Sequence, residues 1–175
     1  VSFTASAQRM VLFGPSGAGK SLTLQAIAGL LRPDEARSCL HGDPLFDSAQ
    51  GIDQKPQARR LAYLFQDYAL FPHLNVRQNI GFGMHTGWLN PGRRFSHPQI
   101  DYWLDALDLK TVAGHHPAQL SGGQKQRVAL ARALVAQHDA CCCSTSRFPH
   151  SITRCARACG RSCPICRRGS TFRCY

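Results

Sequence analysis

Four apolar residues in a row, Met10-Val11-Leu12-Phe13, run straight into Gly14. A short unbroken apolar run of this kind predicts a strand buried on both faces, as in a parallel sheet. The glycine-rich stretch 14–19 predicts a loop. From Lys20 to Leu31, Leu24, Ile27 and Leu31 share one helical face, and Pro33 is expected to stop that helix. Leu61-Ala62-Tyr63-Leu64-Phe65 predicts a second buried strand. Ser96-His97-Pro98 reads as a helix start, followed by Ile100, Trp103, Leu104 and Leu107 at helical spacing. Ser121 opens a further helix that places Val128, Ala131 and Val135 on its buried face. Strands alternating with helices predict an α/β fold, a parallel sheet covered by helices. No internal repeat interrupts the order.

Composition adds one break to this pattern. The 175 residues fit one domain, at roughly 150 residues per domain. A 43% hydrophobic content argues against wholesale disorder. No apolar run reaches the length of about 18 residues that a membrane-spanning helix needs, and no charged-then-apolar leader opens the chain. The start at Val1 rather than Met leads us to expect a missing beginning. The net charge of +11 suggests a nucleic-acid or membrane-surface partner until its distribution is examined. Residues 141–175 hold seven Arg and no Lys, Asp or Glu, a charge of +7, against +4 for residues 1–140. The body is therefore an ordinary soluble domain in composition. Eight of the nine cysteines also lie between Cys141 and Cys174, leaving Cys39 alone in the body, as suits a reducing compartment. After Ala140 neither a helical nor a strand period survives.

Gly14-Pro15-Ser16-Gly17-Ala18-Gly19-Lys20-Ser21 matches G-x-x-x-x-G-K-[ST] between a predicted strand and a predicted helix. Glycines let the backbone wrap with its N–H groups turned inward, forming an anion nest. The helix N-terminus adds partial positive charge. In such a loop Lys20 reaches the β- and γ-phosphates of a nucleotide and the Ser21 hydroxyl holds Mg²⁺. The competing reading is a glycine-rich strand–helix turn with an incidental lysine. Eight matching positions in the right context favour the phosphate loop.

Leu120-Ser121-Gly122-Gly123-Gln124 leads into a basic, alanine-rich helix, Lys125 to Leu134. Ser121 and Gln124 have the spacing of a capping box. Capping alone does not explain two adjacent glycines in the first turn, which leave backbone N–H groups bare for a phosphate. With the phosphate loop about a hundred residues upstream, this segment resembles the LSGGQ signature of the ABC transporter ATPases. The resemblance covers about residues 1–140 and implies a P-loop NTPase of the ABC type that binds ATP and Mg²⁺. It implies a head-to-tail dimer in which Ser121, Gly122, Gly123 and Gln124 of one subunit meet the γ-phosphate held by the other's phosphate loop. Tyr63-Leu64-Phe65-Gln66-Asp67-Tyr68-Ala69-Leu70-Phe71-Pro72-His73-Leu74 resembles the family's Q-loop region. By that resemblance Gln66 contacts Mg²⁺ or the attacking water, and the residues after it meet the transmembrane permease subunits. Residues 76–135 correspond to the helical subdomain. The wording Phe-Gln-Asp-Tyr-Ala-Leu-Phe-Pro-His is similar to importers of molybdate or sulfate, and also of ferric iron and polyamines. A peripheral place at the cytoplasmic face of the cell membrane follows. Leu22 stands where the family has a small hydroxyl residue, but its backbone N–H can still serve the phosphates. The family's adenine-stacking aromatic belongs to a strand before Val1, so the domain is expected to be incomplete at both ends.

The family also needs a buried strand ending in Asp-Glu after the signature helix, and a histidine beyond it. Here the chain reads Asp139-Ala140-Cys141-Cys142-Cys143-Ser144-Thr145-Ser146-Arg147-Phe148-Pro149-His150, with no carboxylate after Asp139. We therefore assign no catalytic residue and expect poor hydrolysis or none. The genetic code offers an origin. If the cysteines are TGC and Ser144-Thr145-Ser146 is TCG-ACG-AGC, reading from the last base of the Ala140 codon gives Leu-Leu-Leu-Leu-Asp-Glu. Permitted codons then continue it as Pro-Phe-Ser-Ala-Leu-Asp, which looks like the family's Walker B strand and D-loop. On this reading 141–175 is an out-of-frame tail rather than a domain, and nothing beyond residue 144 is expected to form regular structure. Cysteine behaves as a small hydrophobe, so Cys141–Ser144 is expected to mimic part of the strand. The rival for the tail is a zinc site at Cys155, Cys159, Cys163 and Cys166, with the arginines as a nucleic-acid contact. Its C-x₃-C-x₃-C-x₂-C spacing is not a common zinc pattern. Two alternatives follow: a non-transport ABC ATPase with a basic tail, or a nucleotide-binding remnant. The importer-like segment around Gln66 favours transport, with no nucleic-acid partner expected.

Overall fold

The computed structural model describes residues 3–5, 12, 15–84, 90–92, 95–135, 140–143 and 172–174. They fall into two units, one built from the described residues up to 63 with strands from 140–143 and 172–174, the other from residues 64–135.

The first unit contains β1 (Phe3–Ala5), α1 (Lys20–Ala28), β2 (Arg37–Leu40), β3 (Asp43–Asp47), β4 (Ile52–Asp53), β5 (Leu61–Leu64, whose last residue begins the second unit), β6 (Ala140–Cys143) and β7 (Phe172–Cys174). Five strands form one sheet in the order β1-β7-β2-β3-β4, and β5 pairs with β6. Every pairing in the five-stranded sheet is antiparallel, so the parallel order predicted from the strand–helix alternation is not the order of this sheet. The reason is local. Only His41 and Gly42 separate β2 from β3, and both have positive φ, 55° and 95°. A two-residue connection can join only antiparallel strands, and positive φ at both positions gives it the twist of a hairpin. Arg37 stands opposite Asp47 in the ladder and pairs with it at 3.3 Å. The Asp47 carboxylate also accepts from the N–H groups of Ala49 and Gln50, shaping the turn toward β4.

Leu24 and Ile27 of α1 pack with Leu40, Leu45, Leu61 and Tyr63, as their helical spacing requires. Leu31 was expected on the same face but is 39% exposed. The helix ends earlier than Pro33 would demand. Gly29 turns left-handed (φ 78°), its N–H meets the Ala26 carbonyl, and the Leu30 N–H meets the Gln25 carbonyl. This is a glycine C-cap of the Schellman type, reached four residues before the proline. Arg59, 3% exposed, completes the cap: Nη1 donates to the Ala26 and Ile27 carbonyls at 2.7 and 2.8 Å, and Nε to Gln54 at 2.7 Å. Its pKa is lowered by burial, partly offset by Asp53. A Cβ at Gly29 would stand 2.7 Å from Arg59 Nε. Gly29→Ala therefore combines left-handed strain with a clash against a buried, fully engaged side chain. We expect a loss of about 2 kcal/mol or more in denaturant unfolding.

Of the strand predicted at 10–13, only Leu12 is described; it is half-buried and outside regular structure. The second predicted strand is present as β5. Ala140–Cys143 does form a strand, paired with β5. The expectation of no regular structure after residue 144 is corrected at one place: Phe172–Cys174 is a strand between β1 and β2. Its residues pair with both neighbours, Arg173 with Thr4 and with Cys39, so a three-residue segment supplies ladder partners to both strands. Asp139 and the four cysteines of the zinc reading lie outside the described residues.

The second unit contains α2 (Val76–Gly81), a 3₁₀ turn at Phe82–Met84, α3 (Pro98–Ala106), two further 3₁₀ turns at Lys110–Val112 and Pro117–Gln119, and α4 (Gly122–Val135). Ile80, Ile100, Leu104, Leu109, Val128 and Val135 are essentially sealed from solvent. The helix predicted after Ser96-His97-Pro98 is α3; the His97 ring caps it by accepting from the Gln99 N–H. Asn75 and Gln78 form a reciprocal capping box on α2. Arg77 on α2 reaches Asp101 on α3 at 2.7 Å, and that hydrogen bond holds the carboxyl below its usual range.

Candidate functional site

The phosphate-loop candidate is described from Pro15 onward; Gly14 lies outside the described residues. Gly17 and Gly19 both adopt positive φ, 83° and 77°. A Cβ at either position would meet nothing within 4 Å, so the backbone conformation, not crowding, calls for glycine. The Ala18 N–H bonds the Pro15 carbonyl at 3.3 Å and narrows the turn. Lys20 folds back across the loop, its Nζ donating to the Pro15 carbonyl at 2.6 Å. The ammonium is thereby held over the loop rather than extended along the helix. Ser21 and Leu22 sit on the first turn of α1, and among the described residues no side-chain cap bond is made at Gly19. Thr23 closes the turn, with its N–H and hydroxyl both donating to the Gly19 carbonyl. The result is a glycine-bent loop and a lysine across it at a helix N-terminus, an arrangement suited to holding anionic oxygens.

Ser121, Gly122 and Gly123 are exposed at the head of α4. The capping box read from the sequence is present: the Gln124 N–H donates to the Ser121 hydroxyl at 3.3 Å, and the Ser121 N–H to the Gln124 amide oxygen at 2.9 Å. The first i→i−4 bond runs from Lys125 to Ser121. The N–H groups of Gly122 and Gly123 precede it, and space is open where their side chains would be. An anion can approach this turn as closely as the backbone allows.

Gln66 is exposed, two residues after β5. The phosphate loop belongs to the first unit, and Gln66 and the Ser121 turn to the second. The Ser21 hydroxyl and the Gln66 amide oxygen are, each by itself, neutral oxygens of the type Mg²⁺ accepts.

Sequence reasoning missed the groups that hold the chain after Gln66. Tyr68 and Ala69 both have positive φ, 67° and 43°, a conformation costing a residue with a Cβ roughly 1–2 kcal/mol. Arg132 of α4 donates to both carbonyls: Nη2 to Tyr68 at 3.0 Å and Nη1 to Ala69 at 2.8 Å. Burial lowers its pKa. Asn79, fully buried, brackets Phe71 by accepting from its N–H at 2.9 Å and donating to its carbonyl at 3.1 Å. The only sequence signal was a basic residue at position 132, eleven after Ser121, and it says nothing of its partner.

Comparison with known proteins identifies the class to which this fold and loop belong. The family described as ABC transporter matches residues 1–143. The chain belongs to the ABC transporter family, and its fold is the α/β P-loop NTPase fold of ABC ATPases. Among similar proteins is the "Molybdenum import ATP-binding protein ModC" of Rhodospirillum rubrum, 45% identical over 136 residues, covering 78% of this chain and 36% of that protein. The protein of the same name from Paramagnetospirillum magneticum is 46% identical over 125 residues, covering 71% and 33%. The chain thus spans about a third of the length of these curated relatives. A solved structure described as a dimeric post-hydrolysis state of the ATP-binding cassette MJ0796 bound to ADP and Pi is also similar. Its TM-score is 0.62 at 29% identity, over 81% of this chain and 62% of that one.

Proposed function

We propose that this chain binds ATP through residues 14–22, and that its intact parent is the ATP-hydrolysing subunit of an ABC importer. The observation that carries the reading is the loop at Gly17 and Gly19 with Lys20 drawn across it at the head of α1. Its N–H groups and the Lys20 ammonium neutralise the phosphates. Ser21 and Gln66 would hold Mg²⁺, which withdraws charge from the phosphate oxygens when bound. In a head-to-tail dimer the bare N–H groups of Gly122 and Gly123 receive the γ-phosphate of the partner's nucleotide. The stretch after Gln66 meets the permease subunits, which puts the chain at the cytoplasmic face of the membrane. Molybdate is the favoured solute, supported by the names of the similar proteins.

Hydrolysis by the chain as written is negligible on this reading, because no Asp-Glu pair follows residue 139. The carboxylates belong to the alternative frame that begins at the Ala140 codon, and β6 occupies the strand whose end they would terminate.

Affinity capture of the tagged chain from detergent-solubilised membranes tests the transport assignment. We expect integral-membrane permease subunits to co-purify and to persist after nuclease treatment. Capture of DNA or RNA in their place would contradict the assignment and favour a basic-tailed ATPase.

A further inference from the structure

Two left-handed residues in succession, neither of them glycine, occur directly after Gln66, at Tyr68 and Ala69. Residues with a Cβ persist in this conformation only when their surroundings hold them there. The holding group is visible. The Arg132 guanidinium spans both carbonyls and lies 5.4 Å over the Phe71 ring. Among the described residues its partners are two carbonyls and a ring, with no carboxylate. A planar fork can serve two successive carbonyls and stack at the same time, which a lysine ammonium cannot do. From the other side Asn79 of α2 fixes the Phe71 backbone, and Phe71 packs on Phe82 with ring centroids 4.3 Å apart. The short stretch 68–71 is thus gripped between α4 and α2, within one unit. Arg132 lies ten residues along the helix that Gly122 begins, about 15 Å at 1.5 Å per residue.

We propose that Arg132 is a positioning residue: it holds the chain following Gln66 in its left-handed turn and locks that turn to the helix headed by Gly122 and Gly123. A displacement of the turn, such as contact with a permease would impose, then reaches those glycines through one rigid helix. That consequence rests on the functional reading above. The grip itself does not.

Amide hydrogen exchange of the full chain tests it. The reporters are the N–H groups of Tyr68, Phe71 and Leu74, bonded to Phe65, Asn79 and Phe71. Arg132→Gln and Arg132→Lys should each accelerate their exchange by roughly tenfold or more. Glycine makes positive φ inexpensive, so adding Tyr68→Gly and Ala69→Gly to Arg132→Gln should recover most of the lost protection. With Arg132 intact, Ala69→Gly should leave the reporters at least as protected as before. Full protection in Arg132→Lys, unchanged exchange in both variants, or a further loss on adding the glycines would overturn the proposal. The first would show that charge alone suffices, the second that Arg132 does not hold the turn, and the third that left-handed strain is not what Arg132 offsets. Nucleotide affinity, measured in parallel with a fluorescent ATP analogue, should stay within about twofold in Arg132→Lys, since that side chain grips the turn and not the phosphate loop. Absence of nucleotide binding by the unsubstituted chain would defeat the functional reading and leave the exchange result standing.

Discussion

Replacing Lys20 by alanine should weaken Mg-ATP binding by about a hundredfold, the loss expected when one partner of a charge-assisted contact to phosphate is removed. The ammonium lies across the loop, 2.6 Å from the Pro15 carbonyl. It therefore sits near where phosphate oxygens would arrive, and little ordering of the side chain remains to be done on binding. Alanine at this position also removes the charge that offsets the repulsion between neighbouring phosphates. Helix α1 should be undisturbed, because alanine is a strong helix former and the cap at its far end depends on Gly29 and Arg59. Titration with a fluorescent ATP analogue, paired with a thermal unfolding curve, separates the two. The expected result is lost affinity with an unchanged unfolding midpoint. Equal affinity in both proteins would show that the loop is only a strand–helix turn.

A larger effect is expected for hydrolysis. Phosphoryl transfer depends mainly on positioning and on stabilising charge, so holding ATP is not enough. The attacking water needs an orienting carboxylate, and such assistance alone is worth ~10²–10⁴-fold. On the proposed reading, the want of an aspartate to help hold Mg²⁺ adds to the deficit. Asp139 precedes β6 in the chain, whereas the family's pair follows the corresponding strand, so Asp139 is not expected to substitute. On the proposed codon assignment, a frame shifted by one base at the Ala140 codon would replace the Cys-Cys-Cys strand with leucines ending in Asp-Glu. The sequence beyond it would change as well, including the stretch that forms β7.

How far the sequence foretold the structure differs from element to element. The glycine-bent loop ahead of α1 was legible because glycine and lysine recur at set intervals in such loops. Helices α3 and α4 were legible because their apolar spacing and caps are local, as the Ser121–Gln124 box and the His97 cap illustrate. The β2–β3 hairpin was not read. Arg37-Ser-Cys-Leu and Asp43-Pro-Leu-Phe-Asp lack clean alternation, and the decisive signal was the two-residue His41-Gly42 turn. The end of α1 was misplaced because Pro33 drew the weight that Gly29 deserved. The grip on the turn after Gln66 could not be read, since Arg132 meets carbonyls 63 and 64 residues away. Periodicity carries no information about a bond from a side chain to a distant backbone. The pairing of β7 between β1 and β2 is non-local in the same way, and composition alone argued against any structure there.

Steady-state phosphate release, measured on the chain as written and on a version carrying the proposed alternative frame and extended to the length of the curated relatives, tests the account most directly. Both should be held at nucleotide concentrations that saturate binding. The account predicts release indistinguishable from a no-protein control for the chain as written, and clear turnover for the alternative-frame version that Lys20→Ala abolishes. Comparable turnover from both proteins would contradict it, because the chain as written would then hydrolyse ATP without an Asp-Glu pair after residue 139.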